Sequence, residues 1–318
     1  MEKLLPIFIL IILFNGVAIG QTYTYSGKLL NKNNNKPIEY GHVYLKGKPI
    51  GTLSGIDGKF SLSNISETDT LIISCVGYES LAFKYQKQLK KNFHLSPRIY
   101  NLKSTEIKSG KSQILKTGFL LSKIKKERVA GTYHALISDG QNFINTGAQT
   151  GIFVENIDKK VGLIQNVEFF FHKEGVANTP FRLRLYSVNE NGKPARDLVN
   201  QNIIVTQGRN GAWVKIDLRN NQIEFPENGF FIAMEWLQTN NKAFAYKSKY
   251  RKVYSKSGKE KLKREGHFKS DLIGFGQVLG NYEMDEKKES WHKSIIEEWS
   301  NHKSLSIPMI RSEIKIWE

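Results

Sequence analysis

Three short runs carry side chains that could build a ligand-binding sheet face. In Phe181–Val188, Arg182, Arg184 and Tyr186 alternate with Phe181, Leu183 and Leu185. In Ala212–Leu218, Trp213, Lys215 and Asp217 alternate with Val214, Ile216 and Leu218, and in Ile164–His172, Glu168 and His172 lie to either side of Phe169. Strand side chains point to opposite faces in turn. If Phe169, Leu183 and Ile216 face a core, then Glu168, His172, Arg182, Arg184, Tyr186, Trp213 and Asp217 point away from it. An aromatic ring can stack on a sugar while charged neighbours bond its hydroxyls. The expectation is one polar face that binds a glycan or a peptide strand. The competing reading has Trp213 or Tyr186 filling an edge of the core.

Other chemistry finds little support. None of the seven histidines (His42, His94, His134, His172, His267, His292, His302) is followed by Glu three residues later, so the zinc carboxypeptidase pattern is missing. No Gly-x-Ser-x-Gly elbow occurs. Gly110-Lys111-Ser112 matches the end of a phosphate loop, but Thr105 stands where the first Gly is needed. Cys75 is the one cysteine, which excludes internal disulfides and cysteine-built metal centres and reads as a small core residue. No catalytic residue, cofactor or metal ligand is assigned. A second reading keeps the dispersed carboxylates Glu168, Asp217 and Glu235 as parts of a glycan hydrolase.

The elements that must carry these residues are strands throughout. Gly51–Phe60 reads as a tight turn around Asp57-Gly58 followed by a half-buried strand, with Phe60 and Leu62 alternating with Ser61 and Ser63. Leu71–Val76 is a near-continuous apolar run, ended by Gly77-Tyr78. Gly27, Pro37, Val43, Gly51-Thr52, Ser54, Gly58, Phe60 and Gly77-Tyr78 together resemble the carboxypeptidase regulatory-like domains. The resemblance covers about residues 22–98 and implies a small transthyretin-like β-sandwich, of the kind found in exported Gram-negative envelope proteins. Gly55 departs from that pattern, which has Asp there, and Asp57 either takes over the turn hydrogen bonding or the role is lost. From Val129 onward, strands at Gly151–Glu155, Phe181–Val188, Gly229–Leu237 and Ile310–Trp317, with Asn-Gly turns at Asn191 and Asn210, predict a larger jelly-roll-like sandwich. The fold class is therefore all-β.

The expected organisation is a signal peptide over 1–20, the first sandwich over 21–98, a Lys- and Ser-rich linker over 99–128 and the second sandwich over 129–318. Lys3, the apolar run Ile7–Phe14 and Ala18-Ile19-Gly20 predict cleavage before Gln21 and export to the periplasm, the outer membrane or the exterior. No later run is long enough to span a bilayer as a helix. Ser290–Trp299 reads as a short helix. The 318 residues carry a formal charge of +17. Spread along the chain, that charge reads as a solvated lysine-rich surface. The polar loop 250–269, with Tyr250, Tyr254 and Phe268 among its basic residues, is the candidate polyanion contact. Export argues against nucleic acid, leaving an envelope glycan or envelope protein as partner.

Overall fold

The structure is a computed structural model, and it describes residues 22–86, 92–98, 111–118, 129–130, 136–138, 147–206, 208–237, 245–247, 250–254, 260–264, 273–275, 277–294 and 298–317. The expected leader and its cleavage point lie outside these residues. The chain is all-β, and its strands build two sandwiches.

Seven strands make the first: β1 (Tyr23–Asn31), β2 (His42–Leu45), β3 (Gly51–Leu53), β4 (Lys59–Ile65), β5 (Thr70–Ser74), β6 (Leu81–Lys84) and β7 (Asn92–Leu95). They form the sheets β4-β1-β7 and β3-β2-β5-β6. On β4 the alternation is literal. Phe60 and Leu62 are buried, while the hydroxyls of Ser61 and Ser63 meet those of Ser26 and Thr24 on β1, both at 3.1 Å. The turn before β4 answers the question left by Gly55. The Asp57 carboxylate accepts the Lys59 amide at 3.0 Å, and Gly58 takes φ +78°, where a side chain would be strained. The rings of Tyr25, Phe60 and Phe93 pack against one another at tilted angles in this core.

The second sandwich begins earlier than expected. Ser112–Gly118, inside the stretch read as linker, is β8, and it pairs antiparallel with the last strand of the chain. The strands after it are β9 (Val129–Ala130), β10 (Leu136–Ser138), β11 (Gln149–Val154), β12 (Gly162–Gly175), β13 (Phe181–Val188), β14 (Pro194–Asp197), β15 (Ile204–Val205), β16 (Ala212–Asp217), β17 (Phe230–Trp236), β18 (Ala245–Lys247), β19 (Tyr250–Tyr254), β20 (Glu260–Arg264), β21 (Ile273–Phe275), β22 (Gln277–Leu279), β23 (Asn281–Lys293), β24 (Ser300–Pro308) and β25 (Ile310–Trp317). One face sheet runs β14-β13-β17-β11-β23-β24 and the other β16-β12-β25-β8. Between them lies the main core, with Phe169, Phe171, Phe181, Leu183, Phe230, Ile232 and Ile310 fully buried. A register shift between Ile164 and Asn166 on β12 keeps Ile164, Val167, Phe169 and Phe171 all inward.

Two local expectations change. Ser290–Lys293 belongs to β23 rather than to a helix. The charged run before it suits a solvated helix face equally well, but Trp291 pairs opposite Gly151 and Asn301 and lies over the sheet. The basic stretch 250–269 is not simply a loop, because β19 and β20 pair as a two-stranded ribbon from Tyr250–Arg264 to Tyr254–Glu260. The period-two spacing of Tyr250, Lys252 and Tyr254 favours that ribbon.

The two sandwiches are packed against each other. Tyr40 and Leu53 of the first form an apolar cluster with Leu237 of the second. Val76 is buried in the larger core. The Asn202 amide donates to the Glu39 carbonyl at 3.1 Å. Among the described residues, no helix is long and apolar enough to cross a membrane.

Candidate functional site

The outer face of the sheet containing β13 and β17 carries a cross-strand row. Arg182 lies opposite Glu235, Glu235 opposite Gln149, and Gln149 opposite Lys293. A second row places Arg184 opposite Ala233, Ala233 opposite Gly151 and Gly151 opposite Trp291. The first sandwich sits over one end of this face, so residues that point away from their own core are nevertheless buried. Arg182 is 1% exposed and Glu235 is fully enclosed.

Glu235 is the centre of the cluster. Its Oε1 accepts from Arg182 Nη1 at 2.7 Å and from His42 Nε2 at 2.6 Å, and its Oε2 from Arg184 Nη1 at 2.8 Å. Burial opposes its ionisation. Arg182 and the neighbouring donors outweigh that, and hold the carboxyl well below the usual range. Burial pushes the His42 imidazole down, against the pull of Glu235, so His42 is a neutral donor to an ionised carboxylate. Arg184 also holds Asp197, with Nε to Oδ1 at 3.0 Å and Nη2 to Oδ2 at 3.1 Å. Arg182 Nη2 reaches the Tyr40 carbonyl at 2.5 Å, and its Nε reaches Asn202 Oδ1 at 2.6 Å. Charges alternate along Arg182, Glu235, Arg184 and Asp197, which is how three buried charges and the half-buried Asp197 can share a low-dielectric site.

Beside this cluster a cleft of about 370 Å³ opens between the sandwiches. Tyr44, Cys75 and Gly77 line one wall, and Gln149, Arg184 and Tyr186 the other; Lys293 and Trp299 line it too. Tyr186 is buried, gives its hydroxyl proton to Gln149 Oε1 at 2.6 Å, and meets the Trp299 ring edge-on at 5.4 Å. Burial pushes its phenol far above the ordinary range. Cys75 is half-buried in the wall, and burial likewise raises its thiol. The lining carries five cationic side chains (Arg98, Arg182, Arg184, Arg196, Lys293) and the two carboxylates Asp197 and Glu298. Glu235 and Asp197 balance Arg182 and Arg184, and Glu79 balances Arg98, which leaves Arg196 and Lys293 against Glu298 and a slight positive excess.

The expected binding face therefore divides. Arg182, Arg184 and Tyr186 point outward as read, but on the sheet that the first sandwich covers. Glu168, His172, Trp213 and Asp217 lie on β12 and β16, in the opposite sheet. There the Arg311 guanidinium lies 4.0 Å over the Trp213 ring and bonds Glu168 Oε2 through Nε at 3.0 Å and Nη2 at 2.6 Å. Asp217 is exposed and held by Arg219, which together with the Arg219 amide lowers it to about 2. Alternation gives the face of a strand but not the sheet that the strand joins, and this separates Tyr186 from Trp213. His42, Gln149, Asp197 and Lys293 were not legible as site residues. Glu235 had a signal: an acid within Phe230–Trp236, otherwise wholly apolar, needs a buried cationic partner.

A histidine pair lies on neighbouring strands. The His292 and His302 rings are 5.2 Å apart, and His292 meets Thr150 and Ser290 through its two nitrogens. Burial, with His302 adding to it, lowers His292 to about 4. A folded value below the unfolded one of about 6.5 means its contribution is complete above that pH and is lost as pH falls toward 4. Unfolding free energy should drop over that window by about 2–3 kcal/mol from this residue. Denaturant melts of wild type and His292→Gln from pH 7 to 4 check this; equal slopes in the two proteins would remove His292 as the source.

Residues 25–118 match the family described as the CarboxypepD_reg-like domain, so this stretch is such a domain, and the match runs to the end of β8. No curated protein matches the chain. Among solved structures, the infectious bursal disease virus Gx strain structure aligns at 8% identity over 93% of this chain and 78% of that one, with a TM-score of 0.20. The VP2 subviral particle of that virus aligns at 7% identity over 93% and 64%, also with a TM-score of 0.20. The T6 backbone pilin of serotype M6 Streptococcus pyogenes aligns at 9% identity over 88% and 80%, with a TM-score of 0.15.

Proposed function

We propose that the protein is exported to the bacterial envelope and acts there as a non-enzymatic module that binds saccharide in the cleft between its sandwiches. The observation that carries this is the cleft itself. It has the volume of a small-ligand site and sets the rings of Tyr44, Tyr186 and Trp299 among hydrogen-bonding groups. A sugar offers apolar faces and hydroxyl edges, and this lining offers a counterpart for each. The leader-like sequence Met1–Gly20 supports export.

The carboxylates weigh against hydrolysis. A glycosidase needs one acid kept protonated near neutral pH. Glu235 is held ionised by two guanidiniums, and Glu168 and Asp217 lie on the opposite sheet, each bound to an arginine.

The test is a glycan array with the mature chain, alongside Tyr44→Ala. Tyr44 is half-buried on the cleft side of β2, so its loss should weaken binding by about 1–3 kcal/mol while moving the melting temperature little. Absence of glycan binding by wild type, or binding untouched by Tyr44→Ala, would refute the cleft as the site. N-terminal sequencing of the protein from native envelope fractions should begin at Gln21.

A further inference from the structure

We infer that the cleft selects a carboxylate-bearing sugar and that Lys293 is the residue that recognises its acid group. The inference rests on the saccharide-binding reading and adds the ligand class to it.

The argument follows the cross-strand row. Its first three members are satisfied within the protein: Arg182 and Glu235 by each other and their neighbours, Gln149 by the Tyr186 hydroxyl. The fourth, Lys293, is half-buried and lines the cleft, and its side chain forms no hydrogen bond or ion pair with another described residue. Of the nearby carboxylates, Glu235 and Asp197 are both held by Arg184, and Glu298 lines the cleft without an ion-pair contact to Lys293. Burial, and then the Arg184 charge, push the Lys293 ammonium down from its ordinary range, so the charge is held there at a cost. A ligand carboxylate would give the ammonium a counter-charge at hydrogen-bond distance. A hydrogen bond between charged groups in a partly dry site is stronger than one between neutral groups. Lysine suits this as a point charge on a flexible stem, while Arg182 and Arg184 are fixed by protein acids.

Titration calorimetry of the mature chain, with a glucuronic-acid-containing disaccharide and with its neutral glucose counterpart, tests the inference. Physiological salt keeps the general positive field from mimicking a site. Wild type should bind the acidic sugar about tenfold or more tightly than the neutral one. Lys293→Met, which keeps the apolar stem, should bring the two affinities together while holding the wild-type melting temperature. Lys293→Arg should restore part of the preference. Equal affinity for both sugars in wild type, or a preference that survives in Lys293→Met, overturns the inference and leaves the cleft reading standing. Failure of both sugars to bind overturns the two together.

Discussion

Glu235→Ala is expected to lower the unfolding free energy by about 3–5 kcal/mol, the usual cost of removing one partner from a buried ion cluster. The substitution leaves Arg182 and Arg184 enclosed with one fewer counter-charge, and it deprives the neutral His42 of its acceptor. Arg182 keeps its bonds to the Tyr40 carbonyl and Asn202, so the loss is electrostatic more than geometric. Glu235→Gln should fall between, since it preserves shape and some hydrogen bonding but not charge. The pH dependence gives an independent readout. The folded value of Glu235 lies below the unfolded one, so its contribution is complete above the ordinary glutamate range near pH 4.3 and is lost as pH falls below it. In Glu235→Ala that part of the acid limb should flatten. Denaturant titration at pH 7 and pH 3 measures both effects. A loss under about 1 kcal/mol at pH 7 would mean that the cluster contributes little to stability.

Gly77→Ala should be nearly as damaging, through backbone rather than charge. Gly77 holds φ +81°, and an added Cβ would lie 2.1 Å from the carbonyl oxygen of Asn200. The left-handed backbone alone costs an alanine about 1–2 kcal/mol, and relieving the overlap adds about 1–3 kcal/mol. The contact is between backbones of the two sandwiches, so the least costly relief is to move the sandwiches apart. Arg98 donates its amide to the Gly77 carbonyl, and Val76 is buried in the large core, so both would move with it. Limited proteolysis alongside thermal melts would show the substitution as faster cleavage at the junction together with a lower midpoint. Wild-type cleavage kinetics would place the strain elsewhere.

Much of the fold is written locally. Asp57-Gly58, the Phe60/Leu62 alternation and the Gly77-Tyr78 corner each specify their geometry within a few residues, and they suffice for the first sandwich. Phe181–Val188 and Ala212–Asp217 likewise declare which side chains face the core. What local pattern cannot express is pairing at long range. Nothing in Ser112–Gly118 states that its partner is Arg311–Trp317, and a Lys-flanked stretch of that composition looks like a linker. The same limit hid the site. The cleft exists because His42 on β2 meets Glu235 on β17, nearly two hundred residues later, and their proximity is a property of how two sandwiches dock. Arg182 and Arg184 looked solvent-facing because a strand records only which side of its own sheet a residue occupies. Whether water or another sandwich lies on that side is decided elsewhere.

The pairing of β8 with β25 also sets how the molecule would respond to tension. Ser112 lies opposite Trp317, and Gly118 lies opposite Arg311. The chain enters β8 at Ser112, coming from the first sandwich, and leaves β25 at Trp317. Once the contact between Tyr40 and Arg182 is parted, a pull between those two points loads the ladder at one end. Its rungs then open in sequence, as in a zipper, instead of sharing the load in shear. The released β8 becomes an extended tether several residues long, and the first sandwich swings out on it, drawing Val76 from the large core and uncovering Arg182, Glu235 and Lys293 together.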